Sequence, residues 1–316
     1  MTDVLVTIAP LTAMILVGFA AGFLPRFSAA ESGLNVFVLH FALPAFLFSA
    51  VAGASLDRGL PLPFLLIALL VPTAVSAAVL LIARAVPNLR RRRLAGPLAL
   101  TGGYGNVGYL GVPIGISLLG AEAALAVGVG QLLHNLVFMI GYPLLAEAGA
   151  GAQGESVMAR VRRTVVSALL LNPVALSIFA GLAVAAVPWS LPGPVDEAVE
   201  LLAGAAVPVA LFAVGLALHH ALVGLRSGAV PLGALTVATA VKMLLLPSLT
   251  WGAAVLTGLD RESTLVLVLL AVMPTSTTAY LLAHAYDGHG PFGAATIFVT
   301  TVLSVGLIPL AFVLAA

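Results

Sequence analysis

Two short polar stretches lie inside long apolar runs, and a proline sits in each. The first is TGGYGNVGYLGVPIG (residues 101–115), where Gly105, Asn106 and Tyr109 lead to Pro113. The second is LLAVMPTSTTAYLLA (residues 269–283), where Pro274 precedes Thr275, Thr277 and Thr278. Proline donates no backbone hydrogen bond and disfavours helix in the residue before it. Each stretch therefore predicts a broken helix centred on Pro113 or Pro274. The break frees carbonyls at the end of one half-helix and amides at the start of the next. Such amide ends carry partial positive charge and suit an anion. Asn106, Tyr104 and Tyr109 add polar side chains at the first break; Thr275, Ser276, Thr277, Thr278 and Tyr280 do so at the second. Either stretch alone also reads as a plain proline kink, with Ser and Thr bonding back to the helix. Two at matching places in the two halves of the chain point instead to one shared binding site.

Other polar residues fall inside apolar runs. Lys242 is the single lysine, mid-run in AVKMLLLP. An ionisable group there is costly and usually functional. It could bind an anion, brace the crossed half-helices where another protein would hold a cation, or snorkel to the interface. Gln131, His134 and Asn135 crowd into about one helical turn of GQLLHNLVF, with Gln131 and His134 on one face by their spacing. His134 could relay protons, touch a ligand, or be a satisfied core histidine. His40 reads as packing or interfacial, and His219, His220, His284 and His289 as solvent-facing. All 12 acidic residues fall in loops or near the ends of apolar runs. No carboxylate is thus placed to hold Na⁺ or carry protons at depth, and an anion is the expected ligand. There is no cysteine, no GxSxG, no HExxH and no pair of mid-run aspartates, so neither an enzyme, a metal site nor a cofactor is expected.

The elements that position these residues are hydrophobic helices. The chain of 316 residues is 61% hydrophobic and 8% charged, with mean hydropathy +1.18, which implies an integral membrane protein with the bilayer as its surroundings. A helix crosses a bilayer with roughly 20 apolar residues. Ten runs qualify: Val4–Leu24, Asn35–Ala52, Phe64–Val86, Pro97–Leu119, Ala123–Ala146, Thr164–Val187, Val199–His219, Ala229–Thr257, Thr264–Tyr286 and Phe292–Ala315. Loops after the odd-numbered runs carry Arg26, Arg90, Arg91, Arg92, Arg93, Arg160, Arg162, Arg163 and Arg226, against Arg58 and Arg261 on the other side. Basic loops stay in the cytoplasm, so both termini are expected outside it. The four arginines at 90–93 read as this topogenic signal. A net charge of +1 with no basic domain gives nucleic acid no purchase.

The halves also match. PLTAMILVGFAAG from Pro10 resembles PVALSIFAGLAVA from Pro173, placing Gly18 against Gly181. LPAFLF with Pro44 and Phe48 resembles VPVALF with Pro208 and Phe212. Pro113 is set against Pro274. Five runs per half is odd, so the second half enters the membrane the other way up. The expected fold is an all-α polytopic membrane protein of ten transmembrane helices in two inverted five-helix repeats, with broken, crossed helices 4 and 9. That architecture implies a transporter. A membrane receptor or channel is the other class, although no ring of charged residues marks a pore.

NVFVLHFALPAFLFSAVA, GNVGYLGVPIGISLLGAEA, LLAGAAVPVALFAVGLAL, VKMLLLP and VMPTSTTAYLLAHAYDG together resemble the auxin efflux carrier family. The resemblance implies a homodimer in the cell membrane that moves a small organic anion, an auxin-like carboxylate or a dicarboxylate, by elevator-type alternating access. It implies a scaffold domain of residues 1–57 and 160–222 and a transport domain of residues 58–150 and 226–316. Gly105, Asn106 and Pro113 match the family's first crossover, Pro274, Thr275 and Thr277 its second, and Lys242 a basic position in the eighth helix. Tyr109, His134, Asn135 and Thr278 complete the expected substrate-binding set. Thr278 and His40 depart from the Asn and the aromatic found in many bacterial members. A Na⁺-coupled organic-anion symporter of bile-acid-carrier type shares the crossed-helix plan and stands as the alternative.

Overall fold

The computed structural model describes residues 2–54, 59–91, 93–149, 156–187, 191–226, 230–287 and 289–315. Arg58 and Arg92 of the loop charges, and Asp57 and Glu155 of the acidic residues, lie outside them. The described residues are helical almost throughout and form no strand. The longer helices are α1 Thr2–Ala21, α2 Pro25–Ala52, α3 Leu62–Ala85, α4 Ala95–Gly103, α5 Val107–Leu119, α6 Ala121–Ala146, α7 Val157–Leu169, α8 Pro173–Ala185, α9 Gly193–Arg226, α10 Leu232–Leu256, α11 Arg261–Val272, α12 Thr277–Asp287 and α13 Gly290–Ala315, with a short turn of helix at Pro87–Arg91.

Six of these, α2, α3, α6, α9, α10 and α13, are long and apolar enough to cross a membrane. The pair α7 and α8 adds a seventh if its two pieces, bent by 64°, count as one span; α1 and α5 are shorter apolar helices. Large apolar side chains such as Leu16, Leu70, Ile82, Leu244 and Val302 face outward, as lipid-facing positions do. The buried centre is α11, where every residue from Ser263 to Val272 is enclosed; the stretch Pro97–Gly103 of α4 is also buried. Termini are capped where polar residues allow. The Asn172 side chain accepts from the amides of Val174 (2.9 Å) and Ala175 (3.4 Å) at the start of α8, next to Pro173. Asp260 accepts from Ser263 N at 2.9 Å to open α11.

Two seams are close because they are built on glycine. A Cβ on Gly18 of α1 would collide with the Phe212 carbonyl of α9, and one on Gly181 of α8 would lie 3.0 Å from the Phe48 carbonyl of α2. Between helices in lipid, such small-residue contacts supply the dispersion energy that water-driven burial cannot. Gly215 completes the first seam against the backbone of Ile15 and Phe19.

Three helices widen by one residue just before an internal proline. The turns Val38–Ala42, Val107–Gly111 and Val241–Leu245 are π-helical, ahead of Pro44, Pro113 and Pro247. In each the closing amide reaches five residues back: Leu43 N to Val38 O, Val112 N to Val107 O, Leu246 N to Val241 O. Widening the turn removes the clash between the proline ring and the preceding turn, so the helix continues. This corrects one expectation. Pro113 does not break its helix; it lies within α5, and the break falls upstream at residues 104–106. Pro274 does sit in its break, between α11 and α12.

Candidate functional site

The two breaks meet. Gly105 and Thr275 pair as an isolated antiparallel bridge. Asn106 N donates to Pro274 O at 2.7 Å, and Ser276 N donates to Tyr104 O at 2.9 Å. Backbone groups left free by one break are thus satisfied by the other, which is how non-helical chain survives at this depth. Side chains finish the join. Thr275 Oγ1 donates to Thr101 O (2.8 Å) near the end of α4, and Thr275 N donates to Thr300 Oγ1 (3.0 Å) on α13. Gly105 N donates to His134 Nε2 at 2.9 Å. An amide can only donate, so His134 Nε2 is an acceptor here and holds the crossover rather than the ligand space.

Above the crossing lies a cavity of about 1070 Å³. Its floor is Tyr104, Gly105, Asn106, Gly108 and Tyr109 from the first break and Ser276, Thr277 and Thr278 from the second; α6 adds Gln131 and Asn135. The volume is at the upper end for a small-molecule site. Several floor groups are unspent. Among the described residues the amides of Val107, Gly108, Tyr109 and Thr277 donate to no protein acceptor, and the Asn106 side chain makes no hydrogen bond. Asn106 is 3% exposed and Gln131 2%, and Gln131 Oε1 has no partner. Gln131 lies against the α5 start, its Nε2 3.6 Å from where a Cβ on Gly108 would be. Asn135 is engaged, accepting from the Tyr104 hydroxyl at 2.9 Å, with the Tyr104 ring stacked on Phe138 at 4.6 Å. The Tyr109 hydroxyl lies 3.4 Å from Asn35 O.

Of the residues singled out by sequence, Gly105, Asn106, Tyr109, Asn135, Thr277 and Thr278 line this cavity. Pro113, His134, Pro274, Thr275 and Lys242 do not. His134, Thr275 and Lys242 bind the crossing together from behind. Lys242 is fully buried and donates from Nζ to Ala271 O at 2.7 Å, so it does not snorkel.

The sequence reading missed part of the wall. His40 lines the cavity rather than only packing, with Nδ1 2.9 Å from Val36 O. His284, exposed as expected, also lines it, its ring parallel to Tyr280 at 6.0 Å. Glu31, His220 and Ser28 form the rim, His220 Nδ1 pairing with Glu31 and Nε2 with Ser28 Oγ. Asn172 serves twice, as helix cap and wall. Among the described residues no cluster of three metal-ligating side chains occurs, and no Lys or Arg lines the cavity.

A family model described as "Membrane transport protein" matches residues 3–312. The chain belongs to the membrane transport protein family. The likeness to auxin efflux carriers read from its motifs is borne out by that match, which spans nearly the whole chain. A protein of Rhizobium meliloti (strain 1021) named "Putative malonate transporter" is 30% identical over 313 residues, 98% of this chain and 94% of that protein. An "Uncharacterized transporter" of Methanothermobacter thermautotrophicus is 24% identical over 309 residues, 96% of each chain. The chain is therefore a membrane transporter and not an enzyme. Membership of the membrane transport protein family implies a small-molecule substrate.

Proposed function

We propose that this transporter carries a small organic anion, a dicarboxylate or an auxin-like carboxylate, by alternating access, and that the substrate sits on the crossing of the two breaks. The observation that carries this reading is the set of unspent donors on one floor: the first-turn amides of α5 and α12 beside the Asn106 side chain. Two converging helix starts attract negative charge without a fixed cation in the wall. The 30% identical relative with malonate in its name agrees with a dicarboxylate.

The architecture in this reading has ten spans in two inverted five-helix repeats, α4 with α5 and α11 with α12 being the broken fourth and ninth. Reciprocal glycine seams support it: Gly18 meets Phe212 and Gly181 meets Phe48, each half's first helix touching the other half's second. Residues 1–57 and 160–222 act as scaffold, and residues 58–150 and 226–316 move as an elevator. Two copies assemble as a homodimer in the cell membrane. Both termini face away from the cytoplasm by the arginine bias, which turns the Ser28, Glu31 and His220 rim toward it. Proteoliposomes loaded with malonate, malate or indole-3-acetate test the reading by counterflow of the labelled compound. Saturable exchange with one of them supports it; leak-level flux with all three contradicts it.

A further inference from the structure

Helix α7 carries Arg160, Arg162 and Arg163 within 13 residues, and residues 156–195 hold no Asp or Glu to balance them. It meets α8 at a bend of 64°. The 13 residues of α8 rise only about 20 Å, short of a hydrocarbon core of about 30 Å. At that bend α7 adds about 8 Å along the α8 axis. Its apolar end, with Val165, Val166 and Leu169, therefore completes the crossing, and its arginines emerge at the depth of the lipid phosphates. In the proposed topology this is the cytoplasmic leaflet.

The helix has two unlike sides. Arg160 and Ala168 are buried, where α7 packs along α6. The other side is uncovered. Arg162 and Arg163 are exposed, and Met158 and Leu170 are 76% and 59% exposed. Met158 lies one turn before Arg162, and Leu170 two turns after Arg163, so each arginine shares a stripe with a bare apolar side chain. Among the described residues the Arg162 guanidinium bonds to no protein group. Acyl chains alone would want no charge here, and water alone no such apolar surface. One ligand meets both demands: an anionic head on apolar tails. Guanidinium groups match phosphate oxygens in pairs, and basic helices of this kind lie in the interface on anionic lipid. The bend itself reaches the cavity, which Ser167 and Leu171 line.

We propose that α7 is a binding site for an anionic phospholipid, its phosphate held by Arg162 and Arg163 and its acyl chains lying along Met158 and Leu170. The bound lipid braces the α7–α8 bend from outside the cavity wall.

The experiment is thermal unfolding of the purified full chain in detergent, with phosphatidylglycerol, phosphatidylcholine or inorganic phosphate added. Phosphatidylglycerol is expected to raise the melting temperature of wild type by about 2 °C or more, saturably. Phosphatidylcholine and inorganic phosphate should leave it unchanged. Arg162→Gln and the double variant Arg162→Gln/Arg163→Gln should each keep less than half of the shift. Arg261→Gln, which removes an exposed arginine at the start of α11, should keep all of it. An equal shift with phosphatidylcholine, a shift with inorganic phosphate alone, a full shift in the double variant, or the same loss in Arg261→Gln each overturns the proposal. Should the double variant fail to fold, Arg162→Gln decides, since its side chain supports nothing else. The readout involves no transported compound, so it stands or falls apart from the proposed function.

Discussion

Gly105 and Thr275 pair backbone to backbone although 170 residues separate them (275 − 105). The pairing converts two local liabilities into one join. Each break would expose unsatisfied amides and carbonyls to lipid; together they bond to each other, with Asn106 N to Pro274 O and Ser276 N to Tyr104 O on either side. What remains free at the two breaks borders the cavity.

Gly105→Ala tests the closeness of that join. The new methyl would meet Lys242 Nζ at 3.1 Å and Leu270 O at 3.5 Å. Overpacking of this kind costs about 1–3 kcal/mol, seen as a lower melting temperature together with loss of exchange. Gly141→Ala, which meets nothing within 4 Å, should behave as wild type in both measurements.

His134 is assigned to support, and two substitutions separate support from ligand contact. His134→Phe leaves the Gly105 amide unsatisfied at a cost of about 1–3 kcal/mol. His134→Gln keeps an acceptor and should recover most of the stability and flux. Equal loss of flux in both variants at wild-type stability would mean that His134 contacts the substrate.

Thr275→Val removes the hydroxyl that donates to Thr101 O while keeping the shape. The freed carbonyl is buried, so unfolding should come earlier by the equivalent of about 1–3 kcal/mol. The binding constant of protein that stays folded should change little, because Thr275 does not line the cavity.

The seam of α1 with α9 has no polar role, so Gly215→Val should act on stability alone. Its side chain would overlap the backbone of Ile15 and Phe19. A lower melting temperature or loss of folded protein is expected; wild-type stability would contradict the close approach.

Much of this was legible from residue types. Ten apolar runs were read, and the described helices fall within or beside them. The polar content of GYGNVGY and PTSTTAY marked the cavity floor, where Asn106, Tyr109, Thr277 and Thr278 lie. The place of the first break was not legible. Pro113 drew attention as the obvious breaker, yet a π-helical turn absorbs it, and the chain opens at Gly105, where glycine permits close approach of Lys242. The same device recurs ahead of Pro44 and Pro247, and the widened turns carry His40, Tyr109 and Lys242. A polar residue four or five positions before an in-helix proline was the signal available for His40. His284 and Gln131 could not be placed from sequence, because which face of α12 or α6 meets the cavity depends on tertiary packing.

The central claim is that substrate binds on the crossing through Asn106, whose side chain has no protein partner. Its most direct test is equilibrium binding of labelled malonate, malate and indole-3-acetate to purified wild type and Asn106→Ala, with melting temperature recorded for both. The account predicts saturable binding of one of them to wild type. For the variant it predicts affinity weaker by roughly 10-fold or more, the loss of one hydrogen bond to a charged group, at unchanged melting temperature. Equal affinity in the two proteins would contradict it.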